Sequence, residues 1–171
     1  TYEIGKLSLA GIVERFDNKS EEDKNKATMV YSLSATYDFE VAKAFFGYQY
    51  ANRFHSLEQL EDVWVSGKGM NQNAFTLGAE VPAAGGTFKV AANYGFGKVK
   101  SADGVVVDDT KLSNDKFNRF TVGAAYEYPL SKRTFVYGWG AYATAGKMFK
   151  EKAVEENFKS WSLGLGLHHT F

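Results

Sequence analysis

Cysteine is absent from the 171 residues, so there is no disulfide framework and no thiolate metal site. Histidine occurs only three times and proline twice. No apolar run approaches the ~18 residues that a membrane-spanning helix requires. Helical periodicity is nearly missing as well. Twenty basic residues balance twenty acidic ones, and that neutrality points away from nucleic acid. No signal peptide is visible, and the chain starts inside a strand-like segment, as expected of a mature or trimmed form. The mean hydropathy of −0.32 does not exclude a membrane barrel, because each spanning strand alternates and averages near neutral.

What is abundant is aromatic residues and glycine, with 14 Phe, 10 Tyr, 3 Trp and 17 Gly, arranged with period 2. The final segment 160–171 alternates strictly. Trp161, Leu163, Leu165, Leu167, His169 and Phe171 fall on one side, and Ser162, Gly164, Gly166, His168 and Thr170 on the other. One face is apolar and the other small and polar, as expected where the outer face meets lipid and the inner face water. Eight such strands are read at 3–15, 28–40, 43–54, 73–81, 86–99, 117–128, 133–145 and 160–171. The seventh places Phe135, Tyr137, Trp139 and Ala141 outward against Gly138 and Gly140. In the first, Tyr2 and Ile4 are out of phase with Leu7, Leu9 and Val13, which predicts a bulge near Gly5.

The connections alternate in length. Tight turns are expected around Val41-Ala42, within Pro82–Gly86 and within Pro129–Lys132, with both prolines in turns. Long polar connections cover 17–27, 56–72, 100–116 and 146–159. Short turns at one end and long loops at the other are the layout of an outer-membrane barrel. An even strand count would put both termini at the periplasmic, short-turn side and the long loops outside the cell. Aromatics cluster at the strand ends in two belts. Phe39, Phe88, Tyr126, Tyr128, Phe135 and Phe171 lie toward the short turns. Phe16, Tyr50, Phe54, Phe75, Phe96, Phe117 and Trp161 lie toward the loops, the placement of aromatics at two lipid–water boundaries.

The inward face mixes charges with glycines. The pore-lining candidates are Lys6, Glu14, Asp38, Arg53, Glu80, Lys89, Arg119 and Glu127; Glu40 and Lys98 are also read inward. Gly78, Gly95, Gly97, Gly123, Gly138, Gly140, Gly164 and Gly166 complete that wall. Glycines would leave voids in a small filled barrel but not in a wide aqueous one. Lys89, Arg119 and Arg53 form either a basic wall or pairs with Glu80 and Glu127.

The stretch Phe120-Thr-Val-Gly-Ala-Ala-Tyr-Glu-Tyr-Pro-Leu-Ser-Lys-Arg-Thr-Phe-Val-Tyr-Gly138 resembles the closing hairpin of Gram-negative general porins, its Leu-Ser-Lys-Arg-Thr turn the β-proteobacterial members in particular. The ending Gly-Leu-His-His-Thr-Phe171 is similar to their terminal strand. The opening Tyr2-Glu-Ile-Gly-Lys-Leu-Ser-Leu-Ala resembles a mid-chain strand. The likeness spans the chain but only the C-terminal half of such a porin. It implies a 16-stranded, usually trimeric, water-filled pore for small hydrophilic solutes, whose inward-folded constriction loop lies in the other half.

Catalytic and metal readings are weak. His55 is followed by Glu58, Glu61 and Asp62, but no second His or Ser constellation accompanies it. His168 and His169 are strand neighbours and point to opposite sides, so they cannot share a metal. Asp103, Asp108 and Asp109 lack an EF-hand spacing, and Gly95-Phe-Gly97 and Gly164-Leu-Gly166 open no helix and so bind no phosphate. No cofactor, catalytic residue or metal ligand is therefore expected. The reading is one all-β, antiparallel transmembrane β-barrel domain over 1–171. It either closes on its eight strands or forms half of a 16-stranded porin. It sits in the bacterial outer membrane, with lipid, lipopolysaccharide, small hydrophilic solutes and a homo-oligomer as partners. The alternatives are a closed eight-stranded anchor or surface-interaction barrel, and a soluble lipocalin-type barrel with its apolar side chains inside.

Overall fold

The computed structural model describes residues 1–17, 27–54, 69–100, 106–107, 110–111, 115–147, 150 and 159–170. His55, Asp103, Asp108, Asp109 and Phe171 lie outside them. Nine strands form one antiparallel sheet in sequence order. They are β1 (Tyr2–Ile4), β2 (Leu7–Phe16), β3 (Thr28–Asp38), β4 (Lys43–Phe54), β5 (Met70–Ala83), β6 (Gly86–Val99), β9 (Lys116–Ser131), β10 (Thr134–Lys147) and β11 (Lys159–His169). A small hairpin, β7 (Val106–Val107) with β8 (Thr110–Lys111), stands apart in the connection between β6 and β9. No α-helix occurs among the described residues. The eight longer strands run from 10 to 16 residues, and a tilted strand crosses a bilayer in ~9–11. β1 and β11 are the two ends of the sheet, with no pairing between them among the described residues.

The expected strands are found, with instructive differences. Near Gly5 the chain makes a tight Gly5-Lys6 turn rather than a bulge, with Gly5 at φ 57°. β1 then folds back on β2 with Tyr2 opposite Leu9 and Ile4 opposite Leu7. Tyr2 and Ile4 therefore share the face of Leu7 and Leu9, and a change of strand removes the phase error. That ninth strand also removes the even count on which the placement of both termini rested. The prolines sit inside strands. Pairing of β4 with β5 ends at Lys43↔Glu80, and that of β6 with β9 ends at Thr87↔Glu127. Beyond those points Pro82 and Pro129 each have one neighbouring strand, so a missing N–H breaks no second ladder. The turns proper are Ala84-Gly85, both with positive φ, and Lys132-Arg133.

Cross-strand register sorts side chains onto two faces. On one, Leu33, Tyr48, Phe75, Tyr94 and Phe120 form a continuous row across β3, β4, β5, β6 and β9. On the other, Ser34, Gly47, Thr76, Asn93 and Thr121 form the matching row. Hollows of roughly 450 and 250 Å³ open on this second face, which we call the inner face. The accessible surface is 11667 Å², against ~8,400 Å² expected of a compact soluble monomer of this mass. Among the described residues the sheet is a single layer, and most of both faces is left uncovered. The large outer residues remain uncovered, with Leu77 62% and Leu165 92% exposed. Such an apolar face is stable only against a non-aqueous neighbour.

Candidate functional site

The outer face is free of charge through its middle. Its charged residues, Arg15, Lys98, Lys116 and Lys159, all lie at the long-loop end, where the registers put Arg15 opposite Met29, Lys98 opposite Lys116 and Lys159 opposite Thr144. Lys98 is thus on the outer face rather than the inner, and its ammonium reaches Asp115 at 2.9 Å. Near the same end Tyr31 stacks on Tyr50, Phe75 on Phe96, and the Tyr48 hydroxyl donates to Asn73 at 2.8 Å. At the short-turn end Tyr37 packs on Phe39 with ring centroids 4.6 Å apart. There the Tyr126 hydroxyl donates to the Ala83 and Ala84 carbonyls at 3.0 Å each. Its ring lies over Gly86, where a Cβ would meet Tyr126 Cζ at 2.8 Å. Aromatics with a polar handle suit a boundary that is apolar on one side and wet on the other.

Four aromatics read as belt members are elsewhere. Phe16 and Phe117 fall on the inner face by register, opposite Thr28 and Gly97. Phe117 is 1% exposed and packs edge-on against Phe54. Phe54 is turned inward by a bulge at Arg53, where the pairing shifts between Asn52 and Phe54. Phe135 also faces inward, stacked on His168 at 4.8 Å.

The largest revision concerns β10. Its register with β9 slips between Thr134 and Phe135, leaving Leu130 as an extra residue. That slip inverts the strand, because a one-residue shift exchanges faces. Tyr137 then lies opposite Glu127 and Trp139 opposite Ala125, both on the inner face, while Gly138 and Gly140 face outward opposite Tyr126 and Ala124. β11 agrees. Leu165 and Leu163 lean over Gly138 and Gly140, where an added Cβ would stand 2.9 Å from each leucine's Cδ2. Inside, Trp139 and Tyr137 lie across Gly164 and Gly166, where an added Cβ would overlap the indole and the phenol ring. On both faces a large residue is seated over a glycine of the next strand. The inner glycines here are seats for aromatic rings, and Gly97 plays the same part for Phe117.

Five charged inner residues gather in one row near the short turns, built by register from five adjacent strands. Asp38 lies opposite Lys43, Lys43 opposite Glu80, and Glu80 opposite Lys89, with Glu127 on the next strand. Signs alternate along the row. Lys43 Nζ is 3.8 Å from Asp38, Lys89 Nζ is 3.6 Å from Glu80 and 2.8 Å from Glu127. The side chains of Glu80, Lys89 and Glu127 are about one-third exposed, at 35%, 36% and 32%. Of the sequence candidates, the structure thus brings together Asp38, Glu80, Lys89 and Glu127. Lys6 sits in the adjacent turn, paired with Glu40. Glu14 faces inward far along β2, opposite Val30. Arg119 lies opposite Gly95, six residues along β6 from Lys89, hence ~20 Å away at ~3.3 Å per residue. Arg53 is on the bulge at φ 60°, outside the regular alternation. Lys89, Arg119 and Arg53 are therefore no basic cluster, and Lys89 pairs with carboxylates. Sequence reasoning missed Lys43, although its place directly after the 39–42 turn, facing Asp38 across it, carried the signal. It also missed Phe45, Tyr137 and Trp139 on the inner face.

Between row and loops the inner wall carries neutral hydrogen-bonding groups. Gln49 donates to Ser32 at 3.2 Å and Asn93 to Thr76 at 2.8 Å. No group of three or more metal-ligating side chains occurs among the described residues. His168 faces inward and His169 outward, where His169 Nδ1 is 2.8 Å from the Thr134 hydroxyl. An antiparallel sheet whose aromatic exterior is free of charge through its middle, with an ionic, hydroxyl-rich interior, is the wall of a transmembrane β-barrel. The profile of the Gram-negative porin family matches residues 1–147, and the chain belongs to that family, whose place is the bacterial outer membrane. An outer membrane porin protein of Bordetella pertussis is 28% identical over 190 residues, an alignment covering 99% of this chain and 44% of that protein. The chain thus spans less than half the length of this relative.

Proposed function

We propose that this chain forms part of the wall of a water-filled outer-membrane pore that passes small hydrophilic solutes and ions by diffusion. The carrying observation is the two-faced sheet with unclosed edges. In hydrocarbon each unsatisfied backbone group costs several kcal/mol, so a spanning sheet must close on itself or on further strands. The relative is more than twice as long as the matched region, which supports closure by strands beyond this chain, as in a barrel of about 16. Such a barrel leaves an aqueous channel. The inner residues Glu14, Asp38, Glu80, Lys89, Arg119 and Glu127 then line that channel, with Lys6 and Arg53 at its two ends. The long connections lie outside the cell and the short turns in the periplasm. The protein acts as a channel rather than an enzyme, within one barrel domain that contacts lipid, lipopolysaccharide and further copies of itself.

The test is planar-bilayer recording of the intact protein purified from outer membranes. Discrete, ohmic current steps in KCl support the reading. Correctly folded, β-rich protein that inserts and conducts nothing refutes it in favour of a sealed anchor barrel.

A further inference from the structure

The ionic row has a composition that goes beyond lining. Its five residues alternate acid, base, acid, base, acid across β3, β4, β5, β6 and β9, so the row carries one net negative charge. Lys89 is its pivot, because its single ammonium lies within 4 Å of carboxylates on both neighbouring strands. Beyond the row, Glu3 stands on β1 at the edge of the sheet, opposite Ser8, while Glu14 and Arg119, of opposite sign, stand toward the far end. The intervening wall is Ser32, Ser34, Gln49, Thr76, Asn93 and Thr121. Lys6 and Glu40 neutralise each other in the turns. Lys132 and Arg133 lie on a turn beyond the strands, facing bulk water that screens them.

Resting on the diffusion-pore reading above, we propose that Lys89 is a specificity-determining residue. By masking Glu80 and Glu127 it sets how strongly the short-turn end of the pore prefers cations over anions. With Lys89 in place the row attracts cations weakly. Without it two adjacent carboxylates stand unmasked and the net charge doubles to −2. An ion passing ~6–10 Å from the row then gains about two- to fourfold in its cation-to-anion permeability ratio at 0.1 M salt. The gain shrinks at 1 M, where screening acts within ~3 Å.

The experiment is the zero-current potential of the intact protein in a bilayer across a KCl gradient centred near 0.1 M. Wild type is compared with Lys89→Gln, Lys89→Arg and Glu127→Gln. The expected order of K⁺ over Cl⁻ permeability is Lys89→Gln highest, wild type and Lys89→Arg equal and slightly above one, Glu127→Gln lowest. The two neutralising variants move in opposite directions, so loss of one to misfolding leaves the other decisive. If both conduct normally with the wild-type ratio, the inference is overturned and the pore reading stands. If wild type itself opens no channels, the pore reading fails and takes the inference with it.

Discussion

Replacing Gly140 and Ala141 in turn by arginine tests the inverted β10 most directly. Gly140 is mid-strand on the outer face, between Ala124 and Leu163. An arginine there is held near the bilayer midplane at ~2–4 kcal/mol. Its Cβ also presses on Leu163 Cδ2 at 2.9 Å, the far end of a flexible side chain, which adds at most ~1 kcal/mol. Ala141, one residue on, faces inward between Gly123 and Ser162 and borders the larger hollow. Arginine at that position extends into water, with a cost near ~0–1 kcal/mol by comparison with interfacial positions. The two variants should differ by ~1–5 kcal/mol, at least about fivefold in the unfolding equilibrium. Reversible urea unfolding in phospholipid vesicles reads this difference at constant m, and Gly140→Ala isolates the steric part. The neighbours on β9, Ala124 outside and Ala125 inside, give the same contrast on a strand whose faces are not in question. An Ala141→Arg protein as destabilised as Gly140→Arg, or more so, refutes the register and returns the aromatics of β10 to the lipid side.

Gly164→Val should expel the Trp139 indole from its seat and destabilise by about 1–3 kcal/mol through overpacking, seen as lowered unfolding midpoint and altered near-UV circular dichroism; an unchanged Trp spectrum would contradict the contact. Tyr126→Phe removes the hydroxyl that closes the 84–85 turn and should lose ~0.5–1.5 kcal/mol in the same unfolding assay. The Lys98 ammonium, donating to Asp115 at the loop end, holds that carboxyl below the ordinary aspartate value. A depressed carboxyl favours the folded state above the unfolded-chain pKa of about 3.9, and that contribution disappears as pH falls through the lower folded value. Carboxyl ¹³C shifts should therefore place Asp115 below the ordinary aspartate value, and Lys98→Ala should bring it back.

Much of the architecture was legible along the chain. A period of 2 maintained through segments of 10 residues or more has no helical alternative. The alternation of tight turns with long polar connections then orders the strands into a meander, because short connections force antiparallel neighbours. Four of the row's five residues were recognisable as inward-facing from alternation within their own strands. What alternation could not show was which strand partners which at what offset. Phe135, Tyr137 and Trp139 alternate perfectly with Gly138 and Gly140, and both assignments of faces satisfy that pattern equally. The slip at Leu130 decides between them, and a slip is a property of two strands, invisible in either one.

Composition and periodicity by themselves determined that this protein is an antiparallel sheet with one face for lipid and one for water, since those depend on each residue's own chemistry and its neighbours two positions away. Tertiary structure alone decided that Lys89 is shared between Glu80 and Glu127, that Tyr2–Ile4 form a separate strand, and that glycines serve as seats for Trp139, Tyr137, Leu163 and Leu165. Those facts come from cross-strand register, which joins residues tens of positions apart through backbone pairing.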